Sequence, residues 1–164
     1  MRLLITGSSG QLGITLRYLL AKYYEIVNTE DFISDEDNVN TILRSKKNSS
    51  MYKGLEFAKT KENSGFVSSG STAAIMVLSR LHMGMIQGID RPAICSLVPN
   101  KKNFSLMLDL GANVECTTEN LIQFAIMGSE FAKVVLGKRS PKIGILNVGT
   151  EQEKGKAALQ EASE

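Results

Sequence analysis

Three short clusters place chemically useful residues beside apolar runs. In SSGSTAA, Ser69, Gly70, Ser71 and Thr72 put hydroxyls and a position without a side chain ahead of Thr72–Met83, a run of helical length and composition. At a helix N-terminus the free backbone N–H groups and the helix dipole favour a phosphate oxygen, and small side chains let it come close. The same residues suit ordinary N-capping by Ser71 or Thr72, so the motif alone leaves both uses open. In LDLGAN, Asp109 ends an apolar run and Asn113 follows a close-approach Gly111. That spacing could turn a carboxylate and an amide toward one crevice, or let them satisfy each other inside a tight turn. In NVGTEQEKG, Asn147, Glu151 and Lys154 share one loop and helix start. Lys154 is a movable point charge, able to hold a phosphate or offset a developing oxyanion, or else a solvated surface lysine.

Weaker candidates surround these. Arg44, Lys46 and Lys47 form a small basic run, either a solvated face or a contact for the acidic surface of a carrier protein. His82, the single histidine, lies between Leu81 and Met83 in an apolar helical run without a triad pattern, and reads as structural. Cys95 and Cys116 form neither a close pair nor a Cys/His cluster, so both read as reduced thiols and no metal site is expected. GSSGQLG, between a strand-like and a helical run, matches the turn of nicotinamide-dependent reductases. Glycine geometry alone accounts for it equally well, and no Tyr-x-x-x-Lys pair follows at a useful place.

The elements that must position these residues alternate. Arg2–Thr6 reads as a strand, followed after the Gly-rich turn by a helix carrying Leu12, Leu16, Leu19, Leu20 and Tyr23. Glu25–Thr29 can supply a second strand, and a helix capped by Ser49 or Ser50 runs through Leu55 and Ala58. Gly65–Ser68 reads as a buried strand leading into the helix Thr72–Met83. Ala93–Val98 and Phe104–Leu110 are two more strands across the turn Pro99–Asn103. Thr117 or Thr118 caps a long helix through Leu136, Lys142–Val148 reads as a strand, and the polar C-terminus as a helix. Such alternation predicts one α/β domain over residues 1–164, with a doubly wound, mostly parallel sheet covered on both faces. Ligands of such sheets bind beyond the C-terminal strand ends, where the three clusters fall.

Composition narrows the class. The 164 residues suit one ordinary domain, and 19 Lys+Arg against 17 Asp+Glu leave a net charge of +2. That balance argues against a broad nucleic-acid-binding surface, so any anion site must be local. The opening residues lack a signal-peptide core, and no apolar stretch is long enough to span a bilayer; a cytoplasmic location is expected.

From about residue 25 to 156 the strings KKNSSM, IQGIDRPA, LDLGANV, LIQFAIMGS and SPKIGILNVGTEQEKG occur in the order and approximate spacing of the bacterial phosphate acyltransferase family, PlsX, which the chain resembles. The resemblance implies a sheet like that of isocitrate and isopropylmalate dehydrogenases, incomplete relative to the family, and a homodimer. It implies acyl transfer from acyl-acyl carrier protein to inorganic phosphate, giving acyl-phosphate for phospholipid synthesis without a metal or redox cofactor. SSGSTAA stands where the family has a Gly-Asn-Thr-Gly loop, Asp109–Asn113 where it has Asp-Val-Gly-Ala-Asn, and Lys154 where it has an active-site lysine. The loop's Asn and second Gly are here Ser71 and Ala73. The family's opening Asp-Ala-Met-Gly-Gly-Asp segment and its C-terminal half, with a further cleft motif and a membrane-touching helical hairpin, are not matched. The expectations are therefore an acyltransferase, completed by a second polypeptide and peripheral to the membrane through that half, or a non-catalytic binding module. A nicotinamide reductase rests on the first turn only.

Overall fold

The computed structural model describes residues 15, 18, 19, 27, 29, 31–147, 149 and 157–163. The expected strand Arg2–Thr6 and the GSSGQLG turn lie outside them, as does Glu25–Thr29 apart from Val27 and Thr29. Of the first expected helix, Thr15, Tyr18 and Leu19 are helical. The chain divides into two compact units, Met1–Gly84 and Met85–Glu164.

In the first unit, helices α1 (Val39–Ser45), α2 (Ser50–Thr60) and α3 (Thr72–Met83) pack around Ile42, Met51, Leu55, Ala74 and Leu78. Each begins at a small polar cap. Asn38 Oδ1 accepts from Thr41 N at 3.0 Å, Ser49 Oγ from Tyr52 N at 3.4 Å, and Ser71 Oγ from Ala74 N at 3.5 Å. These contacts satisfy N–H groups that the helix itself leaves without acceptors. Gly84, at φ +74°, ends α3 in a conformation that glycine adopts without a Cβ clash. Inside α2, Gly54 lies under the Phe66 ring, where a Cβ would collide with the ring edge. His82 is buried at 8% exposure, and its ring meets Tyr52 edge-on with centroids 4.4 Å apart. Burial lowers its pKa from the ordinary 6.5, with opposing influences from Glu56 and Lys59.

The second unit begins its regular structure with a hairpin: β1 (Cys95–Pro99) pairs antiparallel with β2 (Phe104–Leu108), from Cys95 opposite Leu108 to Pro99 opposite Phe104. Asn100 builds the turn, its Oδ1 accepting from Lys102 N at 2.9 Å and Asn103 N at 2.7 Å. Helix α4 (Thr118–Val135) starts in a capping box made by Thr117 and Asn120, and buries Phe124 and Ala132. Gly128 lets α4 approach β2: a Cβ there would stand 3.3 Å from Leu108 Cδ1. The short helix α5 (Ala157–Glu161) follows, tied to the start of α4 by Thr118 Oγ1 donating to Glu161 Oε2 at 2.6 Å.

Two strand expectations are corrected. Residues 65–68 form no strand, with Val67 96% exposed; residues 142–147 form none either, with Leu146 79% exposed, while Val148 lies outside the described residues. An apolar run supplies the faces of a strand but not the neighbouring chain that must take its N–H and C=O groups. Among the described residues the only ladder is the antiparallel hairpin, so the architecture there is α/β, and the doubly wound parallel sheet is not part of it.

Candidate functional site

The SSGST loop sits at the N-terminus of α3, with Ser69, Gly70 and Thr72 exposed and Ser71 half-buried. Ser68 Oγ accepts from Gly70 N at 3.1 Å, which bends the loop back on itself. Gly70 sits against the core: a Cβ there would come within 2.8 Å of the Met51 Cε methyl, which would have to move aside. Of the first-turn N–H groups, that of Ala74 is taken by Ser71 Oγ, and Ile75 N begins the helical ladder by donating to Ser71 O at 3.0 Å. The N–H groups of Thr72 and Ala73 lie within the turn that has no intrahelical acceptors. Ser71 therefore fulfils the capping use of the motif.

In the second unit, the turn after β2 is closed from within. Asp109 Oδ1 accepts from Ile94 N at 2.8 Å, while Oδ2 accepts from Asn113 N at 2.7 Å and from Asn113 Nδ2 at 3.1 Å. Asn113 Nδ2 also donates to Pro92 O at 3.0 Å. Gly111 takes φ +81°, the left-handed conformation this turn requires. Of the two roles open to LDLGAN, the Asp109 carboxylate fulfils the self-satisfied one, joining the end of β2 to the entry of β1.

Neighbouring contacts extend this lock. The buried Gln123 of α4 accepts from Asp90 N at 2.9 Å through Oε1 and donates to Asp90 Oδ2 at 2.8 Å through Nε2. Arg91 donates to Glu115 O at 3.2 Å. Sequence reasoning missed the Asp90–Gln123 pair. Its only trace is a glutamine among the apolar residues of LIQFAIMGS, a signal that a polar partner is needed.

The basic run does not act as one patch. Lys46 Nζ stands 3.1 Å from Asp31 Oδ1 and 3.6 Å from Asp37 Oδ2, and 5.7 Å from the Phe32 ring centroid. The hydrogen bond to Asp31 raises the lysine pKa, and the Ser34 N–H hydrogen bond lowers that of Asp37. Arg44 and Lys47 remain exposed. Asn147 is exposed, while Glu151 and Lys154 lie outside the described residues. Among the described residues, no group of three or more His, Cys, Asp or Glu could hold a metal ion, and no helix is long and apolar enough to cross a membrane.

A hairpin, a capped long helix and a locked Asp/Asn turn make the second unit an α/β module with polar groups gathered at a strand end. A family model described as fatty acid synthesis protein matches residues 2–164, and the chain belongs to that family. Among curated relatives, the phosphate acyltransferase of Ehrlichia ruminantium (strain Gardel) is 47% identical over 136 residues, covering 83% of this chain and 40% of the relative. That of Anaplasma phagocytophilum (strain HZ) is 43% identical over 152 residues, covering 92% and 44%. That of Paramagnetospirillum magneticum (strain ATCC 700264 / AMB-1) is 44% identical over 151 residues, covering 88% and 43%. The chain thus spans less than half the length of these relatives.

Proposed function

We propose that this chain takes part in acyl transfer from acyl-acyl carrier protein to inorganic phosphate, forming acyl-phosphate for phospholipid synthesis. The observation that carries this reading is 43–47% identity, over most of the chain, to proteins named phosphate acyltransferase. A phosphate oxygen attacks the thioester carbonyl carbon, a tetrahedral oxyanion forms, and the carrier thiolate leaves and takes a proton. The α3 N-terminus, with donors around Gly70–Thr72, suits the phosphate; Lys154 suits the oxyanion, where a fixed cation lowers the barrier more than it stabilises bound substrate. Gly111, Asn113, Asn147 and Glu151 belong to substrate-contacting loops in this reading, with Asp109 holding its loop in shape.

The test is acyl-phosphate formation from acyl-acyl carrier protein and phosphate, comparing the chain with its Lys154→Met variant, each with and without a polypeptide carrying the remainder of a relative's length. Turnover should fall roughly a hundredfold in the variant. Near-normal turnover returns Lys154 to the surface role.

A second reading, a binding module that is not catalytic alone, is favoured by the exposed apolar residues of α4. Ile122, Ile126 and Val134 are 45%, 53% and 82% exposed beside the Lys133–Glu130 ion pair, and apolar surface rimmed by charge marks interaction sites. Under that reading the isolated chain binds carrier protein, self-associates in sedimentation and gives no turnover until completed. A membrane contact or a homodimer would belong to the completed protein.

A further inference from the structure

We propose that Gln123 of α4 is a positioning residue: through the strap of residues 90–94 it sets where the Asp109–Asn113 turn stands. The proposal rests on the acyl-transfer reading above for the substrate that the turn meets. Gln123 is 8% exposed, and its amide grips one residue twice, Oε1 accepting from Asp90 N at 2.9 Å and Nε2 donating to Asp90 Oδ2 at 2.8 Å. An apolar side chain in that place would hold the strap by area alone, which has no direction; two opposed hydrogen bonds in a buried setting fix orientation as well.

The strap then meets the turn and its exit repeatedly. Arg91 donates to Glu115 O at 3.2 Å, Pro92 O accepts from Asn113 Nδ2 at 3.0 Å, and Ile94 N donates to Asp109 Oδ1 at 2.8 Å. Leu110 N returns a bond to Ile94 O at 3.2 Å. The carboxylate and the amide of LDLGAN are thus both held by a segment whose upstream end is fixed on α4. So short a segment has little slack, because a chain advances at most about 3.3–3.6 Å per residue. Moving residue 90 therefore shifts the carbonyl that holds Asn113 and the N–H that holds Asp109.

The chemistry of the pair supplies a test that separates direction from packing. Gln123→Glu sets a carboxylate against that of Asp90, a like-charge contact that opens the pair. Adding Asp90→Asn closes it again with reversed polarity: the new amide at 90 donates where the carboxylate accepted, and the new carboxylate at 123 still accepts from the backbone N–H. Amide exchange followed by NMR in the 164-residue chain should quicken about tenfold at Ile94 and Asn113 in Gln123→Glu, and return to within about twofold in the double variant. It should stay unchanged at Ala132, buried toward the other end of α4. Where Gln123→Glu does not fold, Gln123→Met keeps the volume, strands Asp90 N and should give the same local pattern. In the chain completed as above, the KM of one substrate should rise about fivefold in Gln123→Glu with kcat within about twofold, and fall back in the double variant. Equal acceleration at Ala132, or a lower kcat at fixed KM, is what loss of folded protein produces and overturns the positioning role, as does a double variant no better than Gln123→Glu. Local exchange with rescue, in a chain whose completed unsubstituted form makes no acyl-phosphate, keeps the strap and removes the acyl-transfer reading. Turnover indifferent to Gln123→Glu does the reverse.

Discussion

Asp109 and Asn113 hold one another: a single carboxylate oxygen accepts from both the backbone N–H and the side-chain amide of Asn113, at 2.7 and 3.1 Å. The other oxygen accepts from Ile94 N, so one side chain fastens the end of β2 to its own loop and to the strand beside it. Asp109→Ala strands three donors and should cost about 2–3 kcal/mol in urea unfolding, since hydrogen bonds to a charged acceptor exceed neutral ones. Asn113→Ala should cost less, and the double variant should show a coupling energy of at least about 0.5 kcal/mol. Additive losses would mean that the two residues stabilise the turn independently.

Gly54 gives a case in which two effects oppose. Replacing a helix-interior glycine with alanine ordinarily gains about 1 kcal/mol. Here the new Cβ would run into the Phe66 ring, and overpacking of that kind costs about 1–3 kcal/mol. Gly54→Ala should therefore destabilise, and adding Phe66→Leu should recover part of the loss. A more stable single variant, measured by denaturant midpoint, would show that Phe66 swings aside freely.

His82 sets a pH dependence of known sign. Its folded-state pKa lies below 6.5 because burial disfavours the charged ring; Glu56 draws it up and Lys59 pushes it down without reversing the shift. The unfolded ring binds a proton near pH 6.5 and the folded ring only at lower pH. The preference for the neutral ring is thus full above about pH 6.5 and is lost as pH falls toward the folded value. Thermal midpoints should decline over that window, and His82→Phe, which keeps a ring against Tyr52, should flatten the decline. An unchanged slope in His82→Phe would assign it to other groups.

How much of this was legible in the sequence depended on whether a signal was local. Ser49 and Thr117 cap the helices they were expected to cap, and Thr72–Met83 is helical over its expected length, because a cap and its helix are sequence neighbours. Helix α1 escaped notice: it has seven residues and buries only Ile42, too little for periodicity to register. The runs at 65–68 and 142–147 look like strands because their composition fits a sheet face, but pairing is a property of two segments. The same limit governed the sites. LDLGAN admitted an open and a closed arrangement, and only three-dimensional placement put Ile94 N against Asp109.

Lys46 shows that limit most clearly and yields the last prediction. In sequence it is one of three cations in a short run. In the fold it is bound by Asp31 and Asp37, and its charge is spent inside the first unit. Lys46→Glu would set a third carboxylate beside those two and should lower the denaturation midpoint, with Lys46→Met milder. Arg44→Glu with Lys47→Glu, both at exposed positions, should leave the midpoint unchanged. If these two cations meet the acidic face of a carrier protein, that double reversal should slow association at low salt and weaken its salt dependence, since exposed charges act chiefly on encounter rates. Association measured by stopped flow at two ionic strengths separates the cases. Unchanged rates at low salt would leave Arg44 and Lys47 as solvated surface charges and move the carrier contact elsewhere on the chain.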